Sequence, residues 1–213
     1  MKVTFEYNQN KDIWCLLNIG KSSINSPTQT KVYENLIKDF GNNPNEKDTK
    51  FFIEKFISDN NITTKEIVEK YQKNWDCISN EFQIIAEKIF GISLDKDIKA
   101  FLTINDRCPY NIKEGSFFVT MPNDLYLRKI AMHELWHFYT WYKFGITWEE
   151  KIGKEKYNGI KESLTILLNV ECKDLLPEGI IDKGYIQHEE LRKKIISLWK
   201  ETKDIDKVWN ELV

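Results

Sequence analysis

Cysteine, histidine, proline and glycine are all scarce in this chain. Its four cysteines, Cys15, Cys77, Cys108 and Cys172, lie far apart and form no CxxC pair. That scatter excludes a disulfide framework and a cysteine-rich zinc site, and it reads as reduced thiols in a cytosolic setting. An excess of one charge is missing too, because 31 Lys and Arg stand against 33 Asp and Glu, a formal net charge of −2. Such a balance gives no basic footprint for nucleic acid. No apolar run approaches the roughly 20 residues that span a bilayer. The polar start MKVTFEYNQNKD has none of the hydrophobic region of a secretory signal. The expectation is a cytoplasmic protein with no nucleic-acid partner and no membrane partner.

What remains is enough to build a core. Hydrophobic residues make up 41% of the chain and aromatics 13%, including seven Trp, so disorder is excluded. A length of 213 residues suits one domain, or a compact domain with a helical lobe. Residues 2–7 alternate in the manner of a short strand. Helices are expected over 28–40, closed by Gly41, over 48–58, and over 63–90, where Thr63 and Glu66 form a capping box and Gly91 a stop. Residues 12–19 are an apolar run without a readable period. Gly20-Lys21-Ser22 is only a turn, since Cys15 stands where a P-loop needs its first glycine.

Character changes in the second half. KAFLTI (99–104) and SFFVTM (116–121) are short β-rich runs. A helix capped by Asp124 is expected to reach about residue 144, before Gly145. An apolar helix over 160–170, a loop over 175–184, and helices over 187–200 and 204–212 follow. The fold class is therefore α+β and mostly helical, with a helical N-terminal region (1–95) packed on a core formed by 96–213.

The densest chemistry is His133-Glu134-Leu135-Trp136-His137, an HExxH motif that uses two of the three histidines. On a helix, residues i and i+4 lie one above the other, so both imidazoles can reach a single ion. Glu134 sits about a third of a turn away, close enough to hold a water but not to replace a histidine. Two neutral nitrogens, one further ligand and an open position describe a catalytic rather than a structural zinc site. From 130 to 142 (IAMHELWHFYTWY) these three are the only charged or imidazole side chains. A helix apolar almost all round is a buried one, and three such groups inside it need a common reason. The bland alternative is a surface-facing motif held by ordinary helix-face hydrogen bonds. The third ligand stays open among Glu149, Glu150, Glu155, Glu162 and Glu171. Acids from 149 to 155 stand among lysines in a segment without an apolar face, where acids are usually solvated.

Over 99–170, about a third of the chain, the order SFFVTM, HELWH, KESLTILLN resembles the zincin metallopeptidases. In these a short edge strand precedes the HExxH helix, and a second helix brings the third ligand. The metzincin branch would need Gly at 140 and His at 143, where Thr140 and Lys143 stand. The gluzincin branch takes a Glu from a downstream helix, which implies Glu162 as third ligand beside His133 and His137, with Glu155 in reserve. That branch's Glu-x-x-x-Asp form would place Asp at 166, and Ile166 stands there, so support for the ligands is not carried over.

The resemblance implies a zincin-like core over 96–213 with a small sheet, whose edge strand (117–121) offers its backbone to an extended peptide beside the metal. It further implies a Zn²⁺-dependent metallopeptidase acting on a peptide or protein substrate. Glu134 would be the general base, and Tyr185 or His188 the further donor to the oxyanion. On the residues alone, Tyr185 reads as a packing residue and His188 as a first-turn helix residue. The reading from another class is a catalytically silent zincin-fold regulatory or protein-binding module, against which the intact Glu134 argues.

Overall fold

The computed structural model describes residues 1–21, 28–121 and 123–213; Ser22, the last residue of the expected turn, lies outside them. The chain is α+β and mostly helical, with one small mixed sheet. It forms two compact units. One comprises 2–75 with 96–127, the other Met1 with 76–95 and 128–213. Residue 95 is therefore not the boundary between an N-terminal and a C-terminal half. Strand pairing is the physical reason, because the first strand of the chain needs partners that arrive after residue 96.

The sheet unit contains β1 (Lys2–Tyr7), α1 (Gln9–Ile19), α2 (Lys31–Phe40), α3 (Glu46–Asp59), the first part of α4 (Thr64–Phe90), β2 (Asp97–Thr103), β3 (Tyr110–Asn111) and β4 (Ser116–Thr120). Strand order is β1-β2-β4-β3, with β1, β2 and β4 parallel and β3 antiparallel to β4. The alternation of β1 buries Val3 and Phe5. Its outer edge is closed by Gln72, whose amide accepts from the Phe5 N–H at 2.9 Å and donates to the Val3 carbonyl at 3.1 Å. A side chain that occupies edge backbone groups removes a template for unwanted pairing. The unreadable run 12–19 lies in α1, which starts where the Asn8 side chain accepts from the Asn10 and Lys11 amides.

One expectation is corrected here. The strand before the motif helix is not an edge strand, because β4 lies between β2 and β3. Tyr110 and Asn111 pair with Phe117 and Ser116, the Phe118 N–H donates to the Pro109 carbonyl, and the Tyr71 hydroxyl donates to the Thr120 carbonyl. Backbone already bonded in this way cannot receive an added peptide strand, so that docking mode falls. The sequence carries the reason: Ser116 to Val119 are all buried, as an uncharged run covered on both faces must be. Asp124 opens a 3-10 turn, Asp124–Tyr126, that leads into the motif helix, and its carboxylate pairs with Lys70.

The helical unit takes the rest of α4 with α5 (Leu127–Thr140, from residue 128 on), α6 (Ile146–Ile152), α7 (Lys154–Leu164), α8 (Leu168–Glu171), α9 (Glu189–Thr202) and α10 (Ile205–Asn210). Phe82 and Phe90 of α4 pack on Trp136 and Tyr139 of α5, with ring centroids 5.0–6.4 Å apart. This fixes the motif helix by its apolar face. After Thr140 a π-helical turn, Trp141–Gly145, interrupts the helix that the sequence suggested would run to residue 144. Gly145 is needed there: a Cβ would come within 2.2 Å of the Trp141 ring and 2.7 Å of the Tyr157 hydroxyl. α7 starts at Lys154 rather than 160, which puts Glu162 in its last turn. Among the described residues no helix is long and apolar enough to cross a membrane.

Candidate metal centre

The helical period alone brings His133 and His137 together, with their Nε2 atoms 3.0 Å apart. α7 adds Glu162 from across the unit. Its Oε2 lies 3.6 Å from His133 Nε2, and its Oε1 lies 3.4 Å from His137 Nε2. Among the described residues, this is the one cluster of three or more His, Cys, Asp or Glu side chains with ligand spacing. A tetrahedral ion with bonds of about 2.0–2.2 Å holds its ligand atoms about 3.3–3.6 Å apart. One ligand atom from each of the three residues lies within 4.8 Å of the other two, close to that edge length, and two imidazoles with one carboxylate are a donor set suited to zinc. The residues present therefore fit the ion.

The other acids do not join the cluster. Glu150 and Glu155 are exposed, Glu149 is half-buried on α6, and Glu171 accepts from the Trp199 indole at 2.7 Å and pairs with Lys203. Tyr185 is exposed over half its surface, and its ring sits edge-on to His188 at 6.0 Å. The His188 ring covers Gly159. His188 does not belong to the ligand cluster.

The sequence reading missed the most heavily bonded residue of the centre, Asp182. Its Oδ2 lies 2.6 Å from His133 Nδ1, on the far side of the ring from the cluster. A proton on Nδ1 donated to this carboxylate leaves the Nε2 lone pair facing the other ligands, the tautomer a metal ligand requires. Asp182 is held in turn. Arg192 donates to its Oδ1 at 3.0 Å and to its main-chain carbonyl at 2.6 Å, and the Asn169 side chain bonds its main-chain N–H and carbonyl, each at 2.8 Å. Thr165 accepts from Arg192, and its one hydroxyl proton serves either Asp182 Oδ1 or the Glu162 carbonyl. Gly184 lets this close: its φ is +61°, and a Cβ would stand 2.4 Å from the Arg192 guanidinium. Asp182 thus supplies a carboxylate to a histidine of the candidate cluster, although Ile166 occupies the place where the family resemblance put an Asp.

Electrostatics follow from this wiring. Burial opposes a charge on His133, yet the carboxylates of Asp182 and Glu162 outweigh it and push its pKa up to about 10. His137 is driven the other way, to about 3, by burial and the nearby Lys161 ammonium. Burial opposes the charge of Glu162 as well, but His137, His133 and Lys161 hold it far below the usual carboxylate range. Asp182 is held at about 2 by His133 and Arg192 despite its burial. Glu134, 7% exposed, is raised to about 7, chiefly by burial. Without an ion, one proton on His133 is the positive charge between Asp182 and Glu162. A divalent cation would compete with that proton, so metal binding here is coupled to proton release.

Comparison with models of protein families, with curated proteins and with solved structures gives no match to this chain. The functional reading therefore rests on the motif, the cluster and their chemistry.

Proposed function

We propose that the chain is a zinc-dependent hydrolase, a metallopeptidase of gluzincin type acting on a peptide or protein substrate. The observation that carries this reading is the convergence of His133, His137 and Glu162 at ligand spacing on a helix that also bears Glu134. These three side chains would hold Zn²⁺. The ion supplies Lewis acidity, which polarises a carbonyl and activates water near neutral pH. Asp182 fixes the tautomer and orientation of His133. Glu134 takes the proton of the attacking water and delivers it to the leaving amine. Tyr185 and His188, downstream of the third ligand, are the candidates for donation to the oxyanion. The peptide-bond part of the reading is supported by the likeness of the HELWH and KESLTILLN segments to zincins. The four cysteines, all present as thiols, support a reducing, cytoplasmic setting.

The test is Glu134→Gln, assayed against a peptide library. An amide can hold water but cannot accept its proton, so the variant keeps zinc and fold while hydrolysis falls on the order of a hundredfold or more. A variant as active as wild type removes Glu134 from the role of base. A wild-type protein that binds zinc and cleaves no peptide favours the silent protein-binding module instead.

A further inference from the structure

Trp14 stands apart on α1: Ile13, Cys15 and Leu16 beside it are buried, whereas Trp14 is 47% exposed. Its ring is nevertheless fixed, stacked on Phe118 of β4 with centroids 5.9 Å apart and planes 25° from parallel. A large aromatic held on one side and half open to solvent is a flat apolar platform. It borders a cavity of about 380 Å³ between the start of α1 and the β3–β4 pair, a size within the range of small-molecule sites.

Hydrogen-bonding groups border the cavity from three directions. Ser116 shares the face of β4 with Phe118, two residues on, and Asn111 is its cross-strand partner on that face. Ser116 is 3% exposed, and its hydroxyl makes no hydrogen bond among the described residues. A buried hydroxyl in that state carries a desolvation cost that a ligand atom would remove. Asn111 and Asn8 are spare donors. The side-chain oxygen of Asn111 accepts from the Lys113 and Glu114 N–H groups, and that of Asn8 from the Asn10 and Lys11 N–H groups. In each amide this leaves the NH₂ group to donate. Among the described residues Lys11 and Glu114 are the only charged members of the wall, and they pair at 3.1 Å, so the cavity carries no net charge. All these residues lie in the sheet unit, and none belongs to the metal cluster.

We propose that this cavity binds a pyranose sugar, with the apolar face of the sugar ring on Trp14 and its hydroxyls on Ser116, Asn8 and Asn111. Hydroxyls stand around the whole rim of a pyranose, and each both donates and accepts. One such ligand can therefore answer donors from α1, β3 and β4 together with the Glu114 carboxylate. A charged ligand would have to break the Lys11–Glu114 pair. A nucleobase carries its hydrogen bonds along only part of its edge, and a plain aromatic ring would leave the donors unanswered.

The experiment titrates the ¹⁵N-labelled protein with methyl pyranosides of glucose, galactose, mannose and N-acetylglucosamine, followed by NMR, with adenosine, uridine and indole as competitors. At least one pyranoside should bind with a millimolar or tighter Kd, shifting the side-chain amide signals of Asn8 and Asn111 and the Trp14 indole signal. Trp14→Ala should weaken binding about tenfold or more, and Ser116→Ala about three- to tenfold. No shift with any pyranoside overturns the proposal, and so does a Trp14→Ala variant that binds as tightly as wild type. Tighter binding of adenosine, uridine or indole at the same signals overturns the sugar assignment. Should Trp14→Ala fail to fold, the wild-type signals decide. Shifts centred on Asn8, Trp14 and Asn111 support the proposal; shifts centred elsewhere overturn it.

Discussion

Asp12 in the sheet unit and Asp182 in the helical unit are both almost wholly buried, and the two are handled in opposite ways. Asp12 Oδ1 accepts from the Thr103 hydroxyl at 2.6 Å and the Ile104 N–H at 3.1 Å, and the Tyr7 hydroxyl beside it also favours the charged form. Burial dominates, and its pKa is pushed up to about 6. Asp182 receives Arg192, Thr165 and His133 and is held at about 2. At Asp12 the neutral donors do not offset burial, whereas at Asp182 the paired cations do. Asp182 is therefore a fixed negative charge set behind a histidine, whereas Asp12 is a group that its surroundings drive towards the neutral acid.

The largest test of that contrast is Arg192→Met. Removing the guanidinium leaves Asp182 buried without its permanent cation, and breaking such a pair costs about 3–5 kcal/mol. Urea unfolding of the metal-free protein measures it. A loss below about 1 kcal/mol, the scale of an ordinary hydrogen bond, would mean that neutral donors suffice after all.

Next comes pH. Between about pH 4 and pH 6 the folded chain keeps the Asp12 proton while the unfolded chain releases it, so stability falls as pH rises. The raised pKa makes this on the order of 3 kcal/mol, complete above pH 6. Asp12→Asn should remove that slope and be relatively more stable at pH 7 than at pH 4. The sign for Asp182 is opposite. Its depressed pKa contributes stability in full above the ordinary carboxylate pKa, and this is lost as pH falls towards 2. Asp12→Asn and Asp182→Asn, each compared with wild type from pH 2 to pH 8, should give difference curves of opposite slope. Curves of the same slope would abolish the distinction.

Gly184→Ala is the smallest effect, about 1–3 kcal/mol from the left-handed backbone and the blocked guanidinium. Its cost should shrink in the Arg192→Met background, where only the backbone part remains. Additive costs in that double-mutant cycle would show that Gly184 does not serve the Arg192–Asp182 pair.

These residues differ in how far the sequence discloses them. His133, Glu134 and His137 are legible because helical spacing alone sets their geometry. Glu162 is legible as an acid among apolar neighbours, although the expected helix began six residues late and placed it at the wrong end. Asp182 lies in irregular chain 49 residues from its histidine, and no period connects them. The available signal is Arg192. The chain uses Arg at only three positions, and Arg is the cation suited to a buried, forked pair. Lys161 looks like any helix-face lysine until its burial is known. In the sheet unit, SFFVT reads as β but its place does not follow from period. Its lack of any charge or proline fits an interior strand better than an edge. α1 is obscured because Trp14, 47% exposed, interrupts the apolar face.

Zinc content of the purified wild type, set beside Glu162→Ala, His137→Ala and Glu155→Ala, bears most directly on the centre. A site built from His133, His137 and Glu162 predicts one zinc per chain in wild type and in Glu155→Ala, with strong loss in the other two. Wild-type protein prepared with ample zinc and found to carry none, or Glu162→Ala retaining zinc as tightly as wild type, would contradict it.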